Sequence, residues 1–453
     1  METARTWGIA RLKELVGPAF FRNVFVVMTG TAVAQLIGFL FSPILSRLYG
    51  PPDFGEFGAY LSLTMVIVAA VTLNYSDTVM LPKEDREAAP LLLVACGAAV
   101  LIASGTAVFC LVASGPVLKL IGLGGLGRLV WFVPISVLLL GMSQSLASWC
   151  ARVKAFKRTS QSQVLRSSMN CAAQTGGGLA GVGGAGLIAA GVLADASAAV
   201  FLGWAACRQS AAMIRAAAHW RALWHKALEY KEFAIYGTPQ NVMNALSQGV
   251  PVLALAHYYG VEVAGYYAFG MRLLQVPMNF VLTSTRQVLF QRLSQIKANG
   301  GDLYAPFLKS TGALAAIIVV PAVIGFLAAP AVFGFVFGQQ WREAGHYGRW
   351  LLLWLMPAFC NVPAALSLRI LRLQRDLFFY DLGLLATRVG VLIAGGKWLL
   401  PIYTVITLSV AGAVFNTALI LYIWWRLHKM RSWGARGGEE IAVENGNDES
   451  QSF

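Results

Sequence analysis

Apolar stretches recur along this chain about every thirty residues, each about 20 residues long. At about 1.5 Å of rise per residue, a helix of that length crosses the hydrocarbon core of a bilayer. Few folds accommodate such a pattern, and the one expected is an all-α polytopic membrane protein. Charge supports this, because only 12% of the residues are Asp, Glu, Lys or Arg, against about 25% in an ordinary soluble domain.

Twelve spans are predicted, at 24–46, 57–81, 88–114, 129–151, 163–181, 184–206, 233–258, 263–285, 307–336, 348–370, 377–399 and 402–426. The fifth, Gln163 to Gly181, is polar and glycine-rich. It is placed because Gln163 to Cys207 is long enough for two crossings. Most of the 35 Lys and Arg residues then fall on one side, including the run from Arg152 through Arg166. The other side holds only Arg47, Lys119, Arg128, Arg342, Arg349 and Lys397, while Arg272 and Arg388 fall deep inside spans. Basic loops mark the cytoplasmic side, so both termini are expected there. The same rule accounts for the net charge of +14 without nucleic acid. The six cysteines are scattered through apolar runs with no CxxC pair, so they read as small core residues. Met1 to Phe21 is polar and basic, and the first span is expected to act as an uncleaved signal. The expected organisation is a basic N-terminus (1–22), a six-span lobe (23–207), a basic linker (208–231), a second six-span lobe (232–428) and a polar tail (429–453) expected to be disordered.

The two lobes share a motif. Tyr49-Gly50 with Gly55 is echoed by Tyr259-Gly260 with Gly265, and Pro43 and Pro251 precede them. Each lobe has an even number of spans, so both have one orientation, and a pseudo-two-fold axis along the membrane normal is expected. Pro43 and Pro251 are the matching hinge candidates.

Four spans carry a polar stripe at helical spacing. The residues are Thr31, Gln35, Gly38, Ser42 and Ser46 in the first; Gln163, Ser167, Asn170, Gln174 and Gly178 in the fifth; Asn241, Asn244, Gln248 and Pro251 in the seventh; and Arg272, Gln275, Asn279, Thr283 and Arg286 in the eighth. Any one of these can be an interhelical hydrogen bond worth about 1 kcal/mol. Four stripes together favour a water-filled central cavity. Arg272 lies mid-span, where an arginine costs about 2.5–3.5 kcal/mol on insertion scales. Glu262, the one acid on its helix, is nearly three turns away. Arg272 is therefore read as facing water or an anionic ligand. Arg388 has Asp381 two turns before it, which leaves a structural ion pair and a ligand contact both open. Asp195 has no partner on its own helix and reads as a coupling site or as the partner of a distant arginine. Arg47, with His257 as its counterpart, reads as a headgroup-level cation or an outer anion contact.

The stretch RNVFVVMTGTAVAQLIGFLFSPILSRLYGPPDFGEFGAYLSL resembles the opening of polysaccharide-transporter-type flippases, the O-antigen repeat-unit flippases and their relatives. They belong to the multidrug/oligosaccharidyl-lipid/polysaccharide (MOP) exporter superfamily. NYSDTVMLPKEDREA, FAIYGTPQNVMNALSQGVPVLALAHYYGVEVAGYYAFGMRLLQVPMNFV and FGQQWREAGHYGRWLLLW are similar to later segments of that family, in the same order. The resemblance implies two six-helix lobes around a central cavity lined by helices one, two, seven and eight. It implies movement of an undecaprenyl-pyrophosphate-linked glycan across the bacterial cytoplasmic membrane. Members often carry an acid one position before Asp77; this chain has Ser76 there, so no coupling role is carried over to Asp77.

Joined to the polar stripes, this gives a candidate binding set of Arg272, Arg47, Arg388, Gln35, Asn241, Asn244, Gln248, Gln275 and Asn279, with Asp195 and Asp381 as coupling candidates. No catalytic residue, metal or cofactor is expected. The expected partners are a lipid-linked oligosaccharide and membrane lipids, and polysaccharide polymerase or export machinery is the protein partner to look for. A cation-coupled drug exporter of the same superfamily is one rival, but it should present acids rather than arginine and amides. A membrane glycosyltransferase, ligase or polymerase is another. Its only outer acids near a helix start are Asp53, Glu56, Glu262 and Glu343, which read as turn or cap residues.

Overall fold

The computed structural model describes residues 18–120, 124–371 and 373–448, and among them there is no strand. Twelve helices in chain order form the fold. They are α1 (Pro18–Leu48), α2 (Pro51–Val68), α3 (Asp85–Leu120), α4 (Phe132–Arg152), α5 (Phe156–Leu179), α6 (Gly184–Ala216), α7 (Thr238–Tyr259), α8 (Val261–Ala298), α9 (Tyr304–Phe337), α10 (Arg342–Cys360), α11 (Gln374–Trp398) and α12 (Pro401–Asp448). Short helices at Tyr75–Thr78, Trp220–Glu229 and Val362–Ile370 fill the connections. The protein is thus an all-α, multi-pass membrane protein.

Several boundaries differ from the sequence reading. α2 begins at Pro51, because two prolines at its start and the Asp53 carboxylate accepting from the Gly50 N–H (2.8 Å) set an N-terminus there. It also stops at Val68; the chain then turns through Leu73 and Asn74, both at positive φ. α8 runs a dozen or so residues past its predicted end, and α12 carries helical backbone to Asp448, beyond Arg431 where composition ends the ordered chain.

By length and composition alone, eight helices are apolar enough to cross a membrane. The four that fall short are α2, α5, α7 and α8. A helix wrapped in lipid must be apolar outward, but one shielded by neighbours need not be.

Packing repeats from lobe to lobe. α1 packs on α5 as α7 does on α11, and α3 on α4 as α9 does on α10. α5–α6 is matched by α11–α12, and α4–α6 by α10–α12. Between lobes α2 packs on α7 and α8 on α1, while α2 and α8 cross on the axis itself. Such correspondence defines two pseudo-symmetric six-helix lobes.

The echoed motif explains the crossing. A Cβ on Gly55 would overlap the carbonyl oxygen of Val261, and one on Gly265 would overlap that of Pro51. The two echoed glycines therefore pack on each other's helix starts, letting the backbones touch. The echoed tyrosines tie the lobes internally. Tyr49 donates to the carbonyl of Gln174 (2.6 Å) on α5, and Tyr259 donates to that of Gly395 (2.7 Å) on α11. Only the second turn needs its glycine for backbone reasons, with Gly260 at φ +91°.

The face that carries these two turns, the turn face, is firmly closed. Phe54 stacks edge-on against Phe269 and Trp341, whose rings lie 4.0 Å apart, and all three are buried. The Trp341 indole and the Gln340 amide both donate to the Ser46 carbonyl at the end of α1 (2.8 and 2.7 Å). The opposite, basic face is closed far more lightly. There the Asn241 amide donates to the Asn74 side-chain oxygen (2.8 Å), and the Asn74 amide donates to the Phe233 carbonyl (3.5 Å).

Candidate functional site

Two adjoining cavities of about 480 and 330 Å³ lie between the lobes, and a third of about 560 Å³ is walled by the first lobe, with Arg272 of the second reaching into it. Leu61 of α2 borders all three, so they form one branched chamber. Its walls come from α1, α2, α4 through α8 and, through Trp354, α10. Three of the four helices too polar to qualify as spans by composition, α5, α7 and α8, bring polar stripes to this chamber, as α1 does with Thr31 and Gln35.

The largest branch holds the charge. Arg166 of α5, Asp195 of α6 and Arg272 of α8 line it, together with Gln35 of α1 and Asn170 of α5. Each of the three charged residues lies about 11–13 residues, or about 17–20 Å, from the turn-face end of its helix. That depth is near the middle of a hydrocarbon core about 30 Å thick. Arg272 is half-buried and makes no hydrogen bond or ion pair among the described residues. Asp195 is buried, 5% exposed, and accepts from Arg166 Nε at 2.6 Å. Gln35 Oε1 and Asn170 Oδ1 in the same wall are buried without a hydrogen-bond partner among the described residues. Buried acceptors of this kind are ordinarily satisfied by water or ligand.

The second branch is lined by Asn241, Asn244 and Gln248 of α7 with Gln144 of α4. Gln248 donates to the Asn244 side-chain oxygen (3.0 Å), and both are exposed to the chamber. The third branch joins Arg272, Gln275 and Asn279 of α8 to Gln248 and Trp354. The predicted amides of α1, α7 and α8 and Arg272 thus converge on one space.

Other predicted residues are placed elsewhere. Arg388 is 4% exposed and lies behind Trp354, over whose ring it sits at 4.4 Å. It donates to the Ser247 carbonyl (2.7 Å) and hydroxyl (2.8 Å) on α7, so neither the ion pair with Asp381 nor a place on the chamber wall is realised. Asp381, the other coupling candidate, lies two turns further toward the basic face on α11 and forms no ion pair among the described residues. Arg47 is exposed at the turn face and lines none of the three branches. The α5 stripe is shared between two roles. Much of it zips onto α1, with Gln163 accepting from Thr31 (2.6 Å) and Ser167 donating to the Ala34 carbonyl (2.6 Å). Gly178 packs against Leu48 and Tyr49. On α1, Ser42 and Ser46 bond within their own helix. Gly178 is thus spent on helix packing and Ser42 and Ser46 on their own helix, while Gln163 and Ser167 both bond α1 and line the largest branch.

One functional side chain escaped the sequence reading. Arg166 was counted with the basic loop before the fifth span, but α5 begins at Phe156 and carries it ten residues inward. The signal lay in the spacing of Gln163, Arg166 and Asn170, which share one helix face. Asp195, lacking a partner on its own helix, was the other clue.

A protein-family profile described as "Polysaccharide biosynthesis protein" matches residues 44–346. No curated protein is significantly similar in sequence. Among solved structures, an inward-facing multidrug-resistance transporter of the MATE family, of the MOP superfamily, superposes with a TM-score of 0.69 at 13% identity, covering 89% of this chain and 96% of the other. The lipid II flippase MurJ in an inward closed conformation gives 0.69 at 12% identity, covering 90% and 91%. An outward-facing MATE transporter gives 0.57 at 12% identity, covering 92% and 98%. The chain therefore has the MOP transporter fold and belongs to the polysaccharide biosynthesis protein family.

Proposed function

We propose that this protein flips a lipid-linked oligosaccharide, carried on undecaprenyl pyrophosphate, across the bacterial cytoplasmic membrane by alternating access. It would serve surface polysaccharide or lipopolysaccharide O-antigen assembly, as a transporter rather than an enzyme. The observation that carries this reading is Arg272, a mid-membrane arginine that faces a chamber with no hydrogen-bond or ion-pair partner among the described residues. Holding it there costs about 2.5–3.5 kcal/mol, and an anionic ligand supplies the compensation. A guanidinium pairs through two parallel hydrogen bonds with phosphate oxygens, which suits a pyrophosphate headgroup. Gln275, Asn279, Asn241, Asn244, Gln248 and Gln35 offer donors and acceptors to the sugars. The polyprenyl tail stays in lipid between the lobes. Basic residues put the lightly closed face, and both termini, in the cytoplasm.

The drug-exporter reading fits the chamber less well. Its only acid is Asp195, already neutralised by Arg166. That leaves a net positive wall, which repels cationic drugs. In a strain lacking its own repeat-unit flippase, the wild-type chain is expected to restore surface glycan. Arg272→Ala and Arg272→Lys should fail at normal protein levels. Full complementation by either variant would remove Arg272 from the mechanism.

A further inference from the structure

Arg166 is held by one nitrogen only. Its Nε donates to Asp195, while its two terminal nitrogens make no hydrogen bond among the described residues. The side chain is 47% exposed, and that exposure faces the chamber branch it shares with Arg272. Asp195, at 7% side-chain exposure, is instead sunk into α6. The carboxylate therefore anchors the back of the guanidinium and leaves its fork presented to the cavity. A carboxylate behind an arginine fixes a side chain that would otherwise sample many rotamers. It also lowers the cost of keeping that charge at mid-membrane depth.

The second consequence follows from the fold. Arg166 stands on the first lobe and Arg272 on the second, and both face one branch. A single phosphate draws both guanidinium cations onto one centre, where they repel each other. A diphosphate offers one phosphoryl group to each. We infer that Arg166 is a second anion contact, positioned by Asp195, and that the chamber selects diphosphate headgroups by clamping them between the lobes. This deepens the proposed function and rests on it. Bridging links the ligand to the lobe arrangement, because a rocking motion that parts α5 from α8 separates the two forks and loosens the headgroup.

Isothermal titration of the full-length protein in detergent tests this, with inorganic pyrophosphate and orthophosphate as probes. Wild type is expected to bind pyrophosphate about tenfold or more tightly than orthophosphate, the worth of one further charge-assisted contact. Arg166→Gln should bring the two affinities together. Arg166→Lys keeps the charge and the Asp195 pair but not the fork, and should likewise lose the preference while melting as wild type does. Asp195→Ala should weaken pyrophosphate more than orthophosphate, and Asp195→Asn, which still accepts from Nε, should recover part of the loss. An unchanged preference in Arg166→Gln, with binding abolished in Arg272→Gln, would overturn the second contact and leave the proposed function standing. Wild type binding neither probe would overturn both.

Discussion

Two arginines at similar depth illustrate what a residue's surroundings decide. Arg388 is enclosed: Ser247 satisfies it twice and the Trp354 ring covers it. Removing it leaves a polar hydroxyl and an aromatic face without their partner, at a cost of about 1.5–3 kcal/mol. Arg272 has no such partner, and its removal relieves an uncompensated charge. Thermal melting of purified variants should therefore separate them. Arg388→Ala should lower the melting temperature by several degrees, while Arg272→Ala should leave it unchanged or raise it. The reverse order would exchange the structural and functional roles assigned here. From sequence both arginines sit mid-span, and Asp381, two turns from Arg388 on its own helix, is the one difference between them. Only the fold shows that α7 brings Ser247 to one and nothing to the other.

At the scale of elements, the α2–α8 crossing is the feature most tightly specified. Gly55 and Gly265 each leave no room for a Cβ beside the opposing backbone. Gly55→Val or Gly265→Val should force the helices apart, with an overpacking cost of about 1–3 kcal/mol or more. A cysteine pair placed across the turn face should then crosslink less readily than in wild type. Undiminished crosslinking in both variants would mean that this crossing does not hold the turn face shut. The echo of Tyr-Gly and Gly was legible in the sequence, and so were the twelve spans. Less legible were the helices that line the chamber. Hydropathy registers contact with lipid, and α5 turns its polar face toward α1 and water instead. Arg166 therefore reads as a loop residue, while Gln163 and Ser167 line the cavity as expected and also bond α1.

At the scale of the molecule, the two gates are unequal. The turn face is sealed by glycine contact and a buried aromatic cluster, the basic face by the Asn74 side chain, which bonds Asn241 and the Phe233 carbonyl. An exposed hydrogen bond contributes only about 0.5–1.5 kcal/mol, so opening at the basic face is the easier step from this arrangement. Asn74→Ala, which removes the amide bridge, should raise the labelling rate of a cysteine placed at Gln248 by a polar thiol reagent applied from the basic side. An unchanged rate would show that this bridge does not gate the chamber.

The most direct measurement is translocation itself. Proteoliposomes carrying the purified protein and an undecaprenyl-pyrophosphate-linked oligosaccharide can be probed with a lectin added outside after the outer glycan has been trimmed. The account predicts that glycan reappears at the outer leaflet with wild type and not with Arg272→Ala. Equal reappearance in protein-free vesicles, or in the Arg272→Ala variant, would contradict it.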